Sequence, residues 1–414
     1  MTPEQISVIT ATIPVLEQNG KIITETFYRN MMTAHPELNN VFNITNQKTG
    51  HQAKVLAGAL YSYAANINNL EALDPMLELV CQKHASLHIT PDQYDIVGKY
   101  LIEAMQEVLG DGFTPTVHDA WSAAYGQLAA VMIQKESSLY DQGNEWRDWR
   151  DFRISRVSRE SDEVASFYLS PVDGKPLPSF VPGQYVSVRL NIPNLGYMQA
   201  RQYSMSDAPS PEYYRISVKQ ERSQTFTPGL LSNVLHDIKG PGQIMKVSHP
   251  RGDFCLDIAR GSSPTVLLAG GIGITPLLSM FKFLTRETAS EVKRPIHLIY
   301  ATRNASSRAF FDEITEANRK DKQAKVTYFV ESPQAIDKAG VDYHHVGRLN
   351  LQRLDARQDL FVDNASTGYY ICGPTQFLNA VKRSLVQKGV ESSNIKMEVF
   401  GAGGFVETKP QAHL

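Results

Sequence analysis

Closely spaced glycines in the last third of the chain have the residue types that a nucleotide-binding turn needs. The run Gly270-Gly271-Ile272-Gly273-Ile274-Thr275-Pro276 follows the apolar stretch 265–269. Glycines let the backbone approach a pyrophosphate, and a helix opening at Thr275-Pro276 would direct unpaired N–H groups towards it. Pro276 stands where the third glycine of the dinucleotide fingerprint would be. A purely structural glycine turn is therefore the alternative to a nucleotide loop.

The residues after the next apolar stretch leave the type of nicotinamide dinucleotide open. An acidic residue at this place usually binds the ribose of NAD, but Tyr300-Ala301 is followed here by Thr302-Arg303-Asn304. Arg303 or Arg308 could accept a 2′-phosphate, and either could equally be a solvated loop charge. The sequence does not decide between NADH and NADPH.

A second chemistry-bearing group lies upstream, in a region of alternating apolar residues. Arg201-Gln202-Tyr203-Ser204 follows Pro182-Gly183-Gln184-Tyr185 by nineteen residues. On adjacent strands, an arginine, an aromatic ring and a hydroxyl could hold a phosphate, flank a flat ring system and bond its edge. Ordinary strand composition would also give such residues. The nucleotide-type loop immediately downstream favours the functional interpretation.

A pair of histidines is the candidate metal-binding feature of the first third. His84 lies on the apolar face of a predicted helix, and His88 follows four residues later. The zinc-protease pattern needs a glutamate after the first histidine, whereas this chain has Ala85. A histidine satisfied within the core or at the surface is the alternative to a ligand.

The first of three regions that position these residues is predicted to be all-α. Residues 1–140 repeat apolar side chains at helical spacing, and Thr2-Pro3-Glu4-Gln5 has the pattern of a capping box. Further helices are predicted to start at Pro91 and Pro115, and a break is predicted at Asn19-Gly20.

The other two regions are predicted to contain two different sheets. From Phe152 the apolar period becomes two, as in 185–190 and 214–219, and turn signals divide the region into the short antiparallel strands of a small β-barrel. After residue 264, apolar strands at 265–269, 296–301, 325–330 and 368–372 alternate with helices that include 276–284 and 375–388. Such alternation predicts a parallel sheet with helices on both faces.

Composition excludes several other classes of protein. The 414 residues have 41 Lys+Arg against 43 Asp+Glu, so the chain lacks the positive charge of a general nucleic-acid binder. Three cysteines cannot form a disulfide framework, and the first thirty residues lack a signal-peptide pattern. Residues 261–281 are uncharged, but their glycines and Pro276 favour a strand and a helix start over a membrane span. We expect a cytoplasmic protein, with the mitochondrial matrix left open.

Two sets of motifs together resemble those of the flavohaemoglobins, in which a globin is fused to a ferredoxin-reductase-like module. The globin set comprises Thr26-Phe27-Tyr28-Arg29, His35-Pro36-Glu37-Leu38, Val41-Phe42-Asn43, Asn46-Gln47, Gln52, Lys83-His84 and 93–98. The reductase set comprises 182–185, 201–204, 270–276, Cys372-Gly373-Pro374 and Phe400-Gly401. The resemblance implies a globin at 1–140, a linker at 141–150, an FAD-binding β-barrel at 151–260 and an NAD(P)-binding α/β domain at 261–414.

The resemblance implies a haem b site in the first domain. His84 resembles the proximal ligand of the haem iron. The residues implied around it are the ring Phe42 that wedges the haem, the distal polar pair Tyr28 and Gln52 with the apolar Leu56 beside it, and the proximal pair Tyr94 and Glu136. Lys83 and Glu398 resemble charges that lie between haem and flavin.

The resemblance also implies FAD and nucleotide contacts in the rest of the chain. The implied FAD residues are Tyr185, Arg201, Gln202, Tyr203, Ser204, Ser232, Val399, Phe400, Gly401 and Ala402. The implied nucleotide residues are Gly270, Gly271, Ile272, Gly273, Ile274 and Thr275. Many members have a proline where this chain has Ala402, the tail 403–414 continues beyond it, and the loop 221–229 looks longer.

The activity that the resemblance implies is nitric oxide dioxygenation. Nitric oxide and dioxygen become nitrate at a haem iron that NAD(P)H re-reduces through FAD. Two alternatives stay open: an oxygen-binding or sensing globin whose reductase repairs oxidised haem, and a haem-independent reductase of ferric or quinone acceptors. The expected partners are small molecules, with no nucleic acid, no membrane span and no obligate protein partner.

Overall fold

The computed structural model describes residues 1–143, 146–193, 195–222, 230–286 and 294–400. Their contacts divide the chain into two compact units. The helical unit contains Met1–Arg150 together with Ser187–Gln202 and Lys246–Asp253, and the sheet unit contains the remaining described residues.

Seven α-helices form most of the helical unit, as predicted. Their bounds are α1 Pro3–Ala11, α2 Ile13–Ala34, α3 Ile44–Lys48, α4 His51–Ala65, α5 Asp74–Leu87, α6 Pro91–Leu109 and α7 Pro115–Gln142. The capping box at Thr2 and Gln5 is formed, and Pro91 and Pro115 each open a helix. Because proline lacks an N–H and has a fixed φ, it is tolerated at this first position.

The predicted break at Asn19-Gly20 is wrong, because α2 continues through both residues. A Cβ atom added to Gly20 would lie 3.5 Å from the Cβ of Ala57 on α4. The glycine therefore serves the close packing of two helices instead of ending one. The packing stabilisation outweighs the roughly 1 kcal/mol that glycine costs inside a helix.

The strands predicted as a β-barrel form a six-stranded sheet. They are β1 Arg150–Arg159, β2 Val164–Pro171, β3 Tyr185–Asn191, β4 Met198–Ser204, β5 Tyr214–Lys219 and β6 Ile244–Val247, in the order β4-β3-β6-β1-β2-β5. The pairs β1–β2, β2–β5 and β3–β6 are antiparallel, in agreement with the prediction. Helix α8, Leu230–Asp237, precedes β6.

A parallel sheet with helices on both faces follows, as predicted. Its strands are β7 Thr265–Gly270, β8 Ile296–Thr302, β9 Ala324–Val330, β10 His345–Val346, β11 Gly368–Gly373 and β12 Ile395–Val399, in the order β10-β9-β8-β7-β11-β12. Its helices are α9 Ile274–Leu284, α10 Phe311–Lys320 and α11 Thr375–Gln387. Helix α9 thus starts two residues before the predicted 276, and α11 ends one residue before the predicted 388.

Alternation along β7 explains how both faces of this sheet become buried. Leu267 and Ala269 pack in one cluster with Leu277 of α9, whereas Val266 and Leu268 pack in another with α11. The neighbours of β7 are β8 on one side and β11 on the other, so the order of strands reverses between β7 and β11. Ligands of such sheets bind outside the carboxyl ends of the strands at this reversal.

No helix in the described ranges is both long and apolar enough to cross a membrane. The uncharged stretch 261–281 is divided between β7 and α9, as its glycines predicted.

Candidate functional site

Three helices bring His84, Tyr94 and Glu136 into mutual hydrogen-bond contact. His84 lies near the end of α5, Tyr94 in the first turn of α6 and Glu136 on α7. The Nδ1 atom of His84 is 2.9 Å from Oε1 of Glu136 and 2.9 Å from the hydroxyl oxygen of Tyr94. The Tyr94 hydroxyl also donates to Oε1 of Glu136 over 2.5 Å.

This arrangement determines which ring nitrogen of His84 carries the proton. Glu136 is 3% exposed, and its Oε1 accepts from the Tyr94 hydroxyl. Burial and the nearby Glu136 raise the pKa of Tyr94 well above its usual range, so Tyr94 keeps its proton and donates it. The Nδ1 atom of His84 is therefore the donor, and its Nε2 lone pair is left for a metal ion.

His88 does not join His84 as a metal-binding partner. It follows the last residue of α5 in a left-handed conformation with φ of 56°, and its Nδ1 is 3.0 Å from the Arg147 carbonyl oxygen. Burial lowers the pKa of His88 to about 4. Within the described ranges, no three His, Cys, Asp or Glu side chains converge as metal ligands. His84 is therefore a candidate ligand without His88 as a second one.

Tyr28 of α2 and Phe42, which lies between α2 and α3, are in ring contact at the surface of the helical core. Their ring centroids are 5.8 Å apart, and the rings meet edge to face. Leu56 of α4 packs against the same core, and all three side chains are half-buried. The predicted distal Tyr28, the predicted haem-wedging ring Phe42 and the predicted apolar wall Leu56 therefore pack against one core cluster.

Gln52 adds a polar side chain beside Tyr28 in these otherwise apolar surroundings. Its Oε1 accepts from Nε2 of Gln47 over 3.2 Å. Burial raises the pKa of the Tyr28 hydroxyl above its usual range, and a hydrogen bond from Gln52 acts in the opposite direction. Because burial outweighs the effect of Gln52, Tyr28 keeps its proton and can donate it to another acceptor.

Three further predicted residues of the helical unit have these surroundings. Lys83 precedes His84 and is exposed. Nη2 of Arg201 donates to Oδ1 of Asn43 over 2.7 Å, and Nε2 of Gln202 donates to the Ser187 hydroxyl over 3.0 Å. The first half of the predicted FAD motif is therefore bonded within this unit.

The predicted nucleotide loop lies at the strand reversal of the parallel sheet. Residues Gly271–Gly273 form one 3₁₀ turn between β7 and α9, and Gly271 has a φ of 56°. A Cβ atom on Gly273 would lie 2.3 Å from the Cys372 carbonyl oxygen. Only glycine fits there, so the turn is pressed against the end of β11. Ile274 and Thr275 form the first turn of α9, with the Thr275 hydroxyl bonded to the Ile272 carbonyl.

The predicted C-terminal residues meet this loop along the same edge of the sheet. Cys372 of β11 pairs with Glu398 of β12, and Gly373 pairs with Val399. The amide of Phe400 donates to the Gly373 carbonyl over 3.0 Å. Gly401, Ala402 and the tail 403–414 lie outside the described residues, as does most of the loop 221–229.

The remaining predicted FAD residues of the sheet unit occupy strand ends and a helix. Tyr185 opens β3, Tyr203 and Ser204 close β4, and Ser232 is buried on α8. Ser204 is also buried, whereas Tyr185 and Tyr203 are half-buried.

The two candidate arginines for a 2′-phosphate differ in their surroundings. Arg308 is buried, donates to the Asp342 carbonyl and lies over the Phe311 ring. Arg303 is 62% exposed, 3.5 Å from Glu163, and lines a cavity of about 70 Å³ with Gly271 and Ile272. Only Arg303 is therefore placed to meet a ligand of the glycine loop.

Sequence reasoning missed residues that support the site from a distance. The Tyr125 hydroxyl donates to the Tyr94 carbonyl over 2.5 Å. A Cβ on Gly98 would lie 2.4 Å from the Tyr125 ring, so the glycine makes room for this contact. Gln199, described below, was also missed. Gly98, a glycine inside a helix, was the one sequence signal of these supporting contacts. The other contacts join residues that are distant in sequence.

Two family models match separate parts of the chain. The Globin model matches residues 25–132, and the model for an oxidoreductase NAD-binding domain matches residues 267–383. The fold and these matches define a globin joined in one chain to an NAD-binding oxidoreductase domain.

Similar proteins extend over nearly the whole chain. A flavohemoprotein of Rhizobium meliloti is 40% identical over 411 residues, which cover 98% of this chain and all of that protein. The flavohemoglobin of Malassezia yamatoensis, solved with bound FAD and heme, has a TM-score of 0.84 at 29% identity and covers 97% of this chain and 99% of its own. The chain belongs to the flavohemoprotein family.

A solved structure also resembles the second part of the chain. The FAD/NAD-binding domain of the nitric oxide dioxygenase from Vibrio cholerae has a TM-score of 0.54 at 30% identity, and covers 62% of this chain and 100% of its own.

Proposed function

We propose that this chain is a nitric oxide dioxygenase, which converts nitric oxide and dioxygen to nitrate with electrons from NAD(P)H. The observation that carries the proposal is the His84–Glu136–Tyr94 contact, in one chain with the polar pair Tyr28–Gln52 and a nucleotide-type loop. Relatives described with bound FAD and heme, and as a nitric oxide dioxygenase, support it. We assign the domains as 1–140, 151–260 and 261–414, with 141–150 as the linker.

The helical unit has the donor set that a haem b group needs. His84 offers one nitrogen lone pair to the iron, while Phe42 and Leu56 supply apolar side chains for the ring. When bound, haem supplies an iron that takes up dioxygen and exchanges one electron at a time. The remaining chemistry of the site depends on the protein side chains.

On the proximal side, Glu136 and Tyr94 set the electron density of the histidine. A carboxylate that accepts the Nδ1 proton makes the imidazole more basic and fixes its ring orientation. The short Tyr94–Glu136 bond fixes the carboxylate in turn. We infer that Glu136 and Tyr94 are positioning residues for His84.

On the distal side, Tyr28 supplies a hydrogen-bond donor among apolar side chains. We infer that Gln52, which lies beside Tyr28, orients the Tyr28 hydroxyl. Tyr28 would donate its hydroxyl proton to a ligand that gains negative charge and so hold that ligand in place. Holding a polar group among apolar side chains is costly, and a polar ligand offsets that cost.

The sheet unit supplies the electrons. A nicotinamide gives two electrons as a hydride, a flavin can take two and release them singly, and haem accepts one. We assign Gly270–Thr275 to the nucleotide, and we assign to FAD the residues Tyr185, Arg201, Gln202, Tyr203, Ser204, Ser232 and 399–402. Lys83 and Glu398 are assigned as charges near the two redox centres.

The electron balance gives the proposal a fixed stoichiometry. Nitric oxide and dioxygen need one electron to become nitrate, so one NADH serves two nitric oxide molecules. The products are two nitrates, NAD⁺ and one proton. No other oxidant or reductant is required.

The rival functions use only parts of this arrangement. An oxygen carrier or sensor needs the Tyr28–Gln52 pair but no sustained electron supply. A haem-independent reductase needs the glycine loop but gives no role to the polar pair or to the proximal contacts. The dioxygenase uses all three.

Nitric oxide consumption by the full chain, with NADH under air, tests the proposal. We expect rapid consumption that carbon monoxide inhibits. His84→Ala should abolish it while flavin absorbance and NADH-dependent ferricyanide reduction persist. Carbon monoxide-insensitive consumption, or unchanged consumption in His84→Ala, would show that the haem is not the reaction site.

The cysteines fit a reducing compartment. Cys81, Cys255 and Cys372 form no disulfide within the described residues, and burial raises the pKa of Cys81 to about 12. We propose that the protein acts in the cytoplasm on nitric oxide, dioxygen and NAD(P)H alone.

A further inference from the structure

One fully buried glutamine of β4 holds the segment that carries Phe42. Nε2 of Gln199 is 2.8 Å from the Asn39 carbonyl oxygen and 3.3 Å from that of Phe42. Its Oε1 accepts from the Ile44 amide over 3.2 Å. A single side chain thereby satisfies backbone groups before, at and after the proposed haem-wedging ring.

The same strand contacts this segment at two more positions. The Met198 amide donates to Oδ1 of Asn40 over 2.8 Å, and Nη2 of Arg201 donates to Oδ1 of Asn43 over 2.7 Å. Asn43 directly follows Phe42 and caps α3 through the amides of its second and third residues. The predicted FAD arginine is thus bonded to the residue beside the proposed haem contact.

A second chain of hydrogen bonds leads from β4 to the proximal helix. Nε2 of Gln202 donates to the Ser187 hydroxyl over 3.0 Å, and that hydroxyl donates to the Ser86 hydroxyl over 2.8 Å. Ser86 lies two residues after His84 and donates to the Lys83 carbonyl. Ser86 and Ser187 are fully buried, so water does not replace these bonds.

We propose that β4 couples FAD binding to haem binding, with Gln199 and Ser187 as positioning residues. The inference rests on the proposed function, which assigns FAD to Arg201 and Gln202 and haem to Phe42 and His84. Both FAD residues bond, directly or through Ser187, to segments that flank the haem site. A ligand that orders β4 therefore orders these segments too.

The sign of the coupling follows from the cost of ordering. The first cofactor pays the entropy of fixing β4 and the segments bonded to it, and the second binds to segments that are already fixed. Each cofactor therefore strengthens binding of the other, and by thermodynamic linkage the factor is the same in both directions.

Haem transfer from the full-length protein to excess apomyoglobin, with and without saturating FAD, measures the coupling. We expect FAD to slow haem loss at least about five-fold in the natural chain, a factor at the lower end of typical couplings. Gln199→Leu should remove this dependence on FAD, and Ser187→Ala should reduce it. FAD affinity, followed by flavin fluorescence, should be higher in haem-loaded than in haem-free chains, by the factor by which FAD raises the equilibrium affinity for haem.

Gln82→Leu is the matched control. Gln82 lies on α5, two residues before His84, and its hydrogen bonds among the described residues join the Gly252 amide over 3.0 Å and Glu78 over 2.9 Å, not β4. The rate of haem loss from Gln82→Leu can differ from that of the natural chain, but FAD should slow haem loss by the same factor in both. Loss of this FAD dependence in Gln82→Leu would mean general loosening and would overturn the role of β4.

Two other results would also overturn the coupling. One is haem loss that is independent of FAD in the natural chain, and the other is an unchanged FAD effect in Gln199→Leu and Ser187→Ala. Either result with normal nitric oxide consumption leaves the proposed function intact. A chain that takes up no haem would overturn both. If Gln199→Leu does not fold, Ser187→Ala, which removes a single hydroxyl, decides the test.

Discussion

At the scale of single residues, the chemistry of the proposed haem site depends on where two protons are held. Glu136 takes the Nδ1 side of His84, so the other nitrogen is left for a metal. Burial raises the pKa of the Tyr28 hydroxyl, so its proton is left for a ligand. In each case the surroundings of a side chain determine which of its atoms is available.

Tyr28→Phe should speed dioxygen dissociation about ten-fold or more. The variant keeps the ring contact with Phe42 and loses one hydrogen bond to a charged acceptor, which is worth roughly 1.5–3 kcal/mol. Stopped-flow dissociation from the ferrous protein measures the effect. Tyr61→Phe, on α4, is the matched control and should not change the rate. Equal rates for Tyr28→Phe and the natural protein would remove Tyr28 from the site.

Glu136→Gln should lower nitric oxide turnover about 10–100-fold without emptying the site. Loss of such an acceptor has this effect on ligating histidines, and the amide is a weaker acceptor than the carboxylate. Resonance Raman spectroscopy of the iron–histidine bond should show a weaker bond, a change that simple destabilisation would not produce. Glu107→Gln, at an exposed ion pair with Arg29, should leave both readings unchanged. An unchanged Raman band in Glu136→Gln would contradict the positioning role.

Sequence spacing could suggest these residues only through the family resemblance, since their contacts join distant positions. His84 and Glu136 are 52 residues apart, and Gln199 lies 155 residues from Ile44. A histidine on an apolar helix face is all that the local pattern shows. Gln199 occurs in an ordinary strand, and only the structure reveals its buried partners.

At the scale of elements, local patterns predicted those helices and strands whose residues determine their own geometry. Prolines opened α6 and α7, and apolar strands alternated with helices in the parallel sheet as expected. The prediction failed at Gly20, where packing against α4 outweighs a local break signal. The short β10 and the half-buried β12 were missed, because neither has the long apolar pattern of a central strand.

Gly273→Ala should impair hydride transfer from NADH to FAD about 100-fold while flavin remains bound. The added methyl would meet the backbone of Cys372 and Gly373, so either the loop or the end of β11 must move. A shift of about 1 Å can cost this much in rate. Rapid-mixing flavin reduction is the measurement.

Gly126→Ala, which places a methyl where nothing lies within 4 Å, should reduce flavin at the natural rate. A natural rate in Gly273→Ala would separate the glycine loop from the nucleotide.

At the scale of the whole molecule, the proposed function requires a sheet unit that donates electrons and a helical unit that uses oxygen, both in one chain. The contacts within the chain divide it into two compact units, and the two family models match different parts of the sequence. The reason for the fusion is a difference in electron number. NADH releases two electrons together, whereas each turnover at haem consumes one, so a flavin between them is required.

The ratio of nitrate formed to NADH consumed tests the central claim most directly. The full chain, loaded with haem and FAD, is mixed with NADH and air-saturated buffer, and nitric oxide is added in repeated small amounts. The nitrate formed and the NADH consumed are then measured. The account predicts two nitrates for each NADH, with no nitrate from His84→Ala. NADH oxidation that proceeds without matching nitrate, or nitrate formation that continues in His84→Ala, would contradict it.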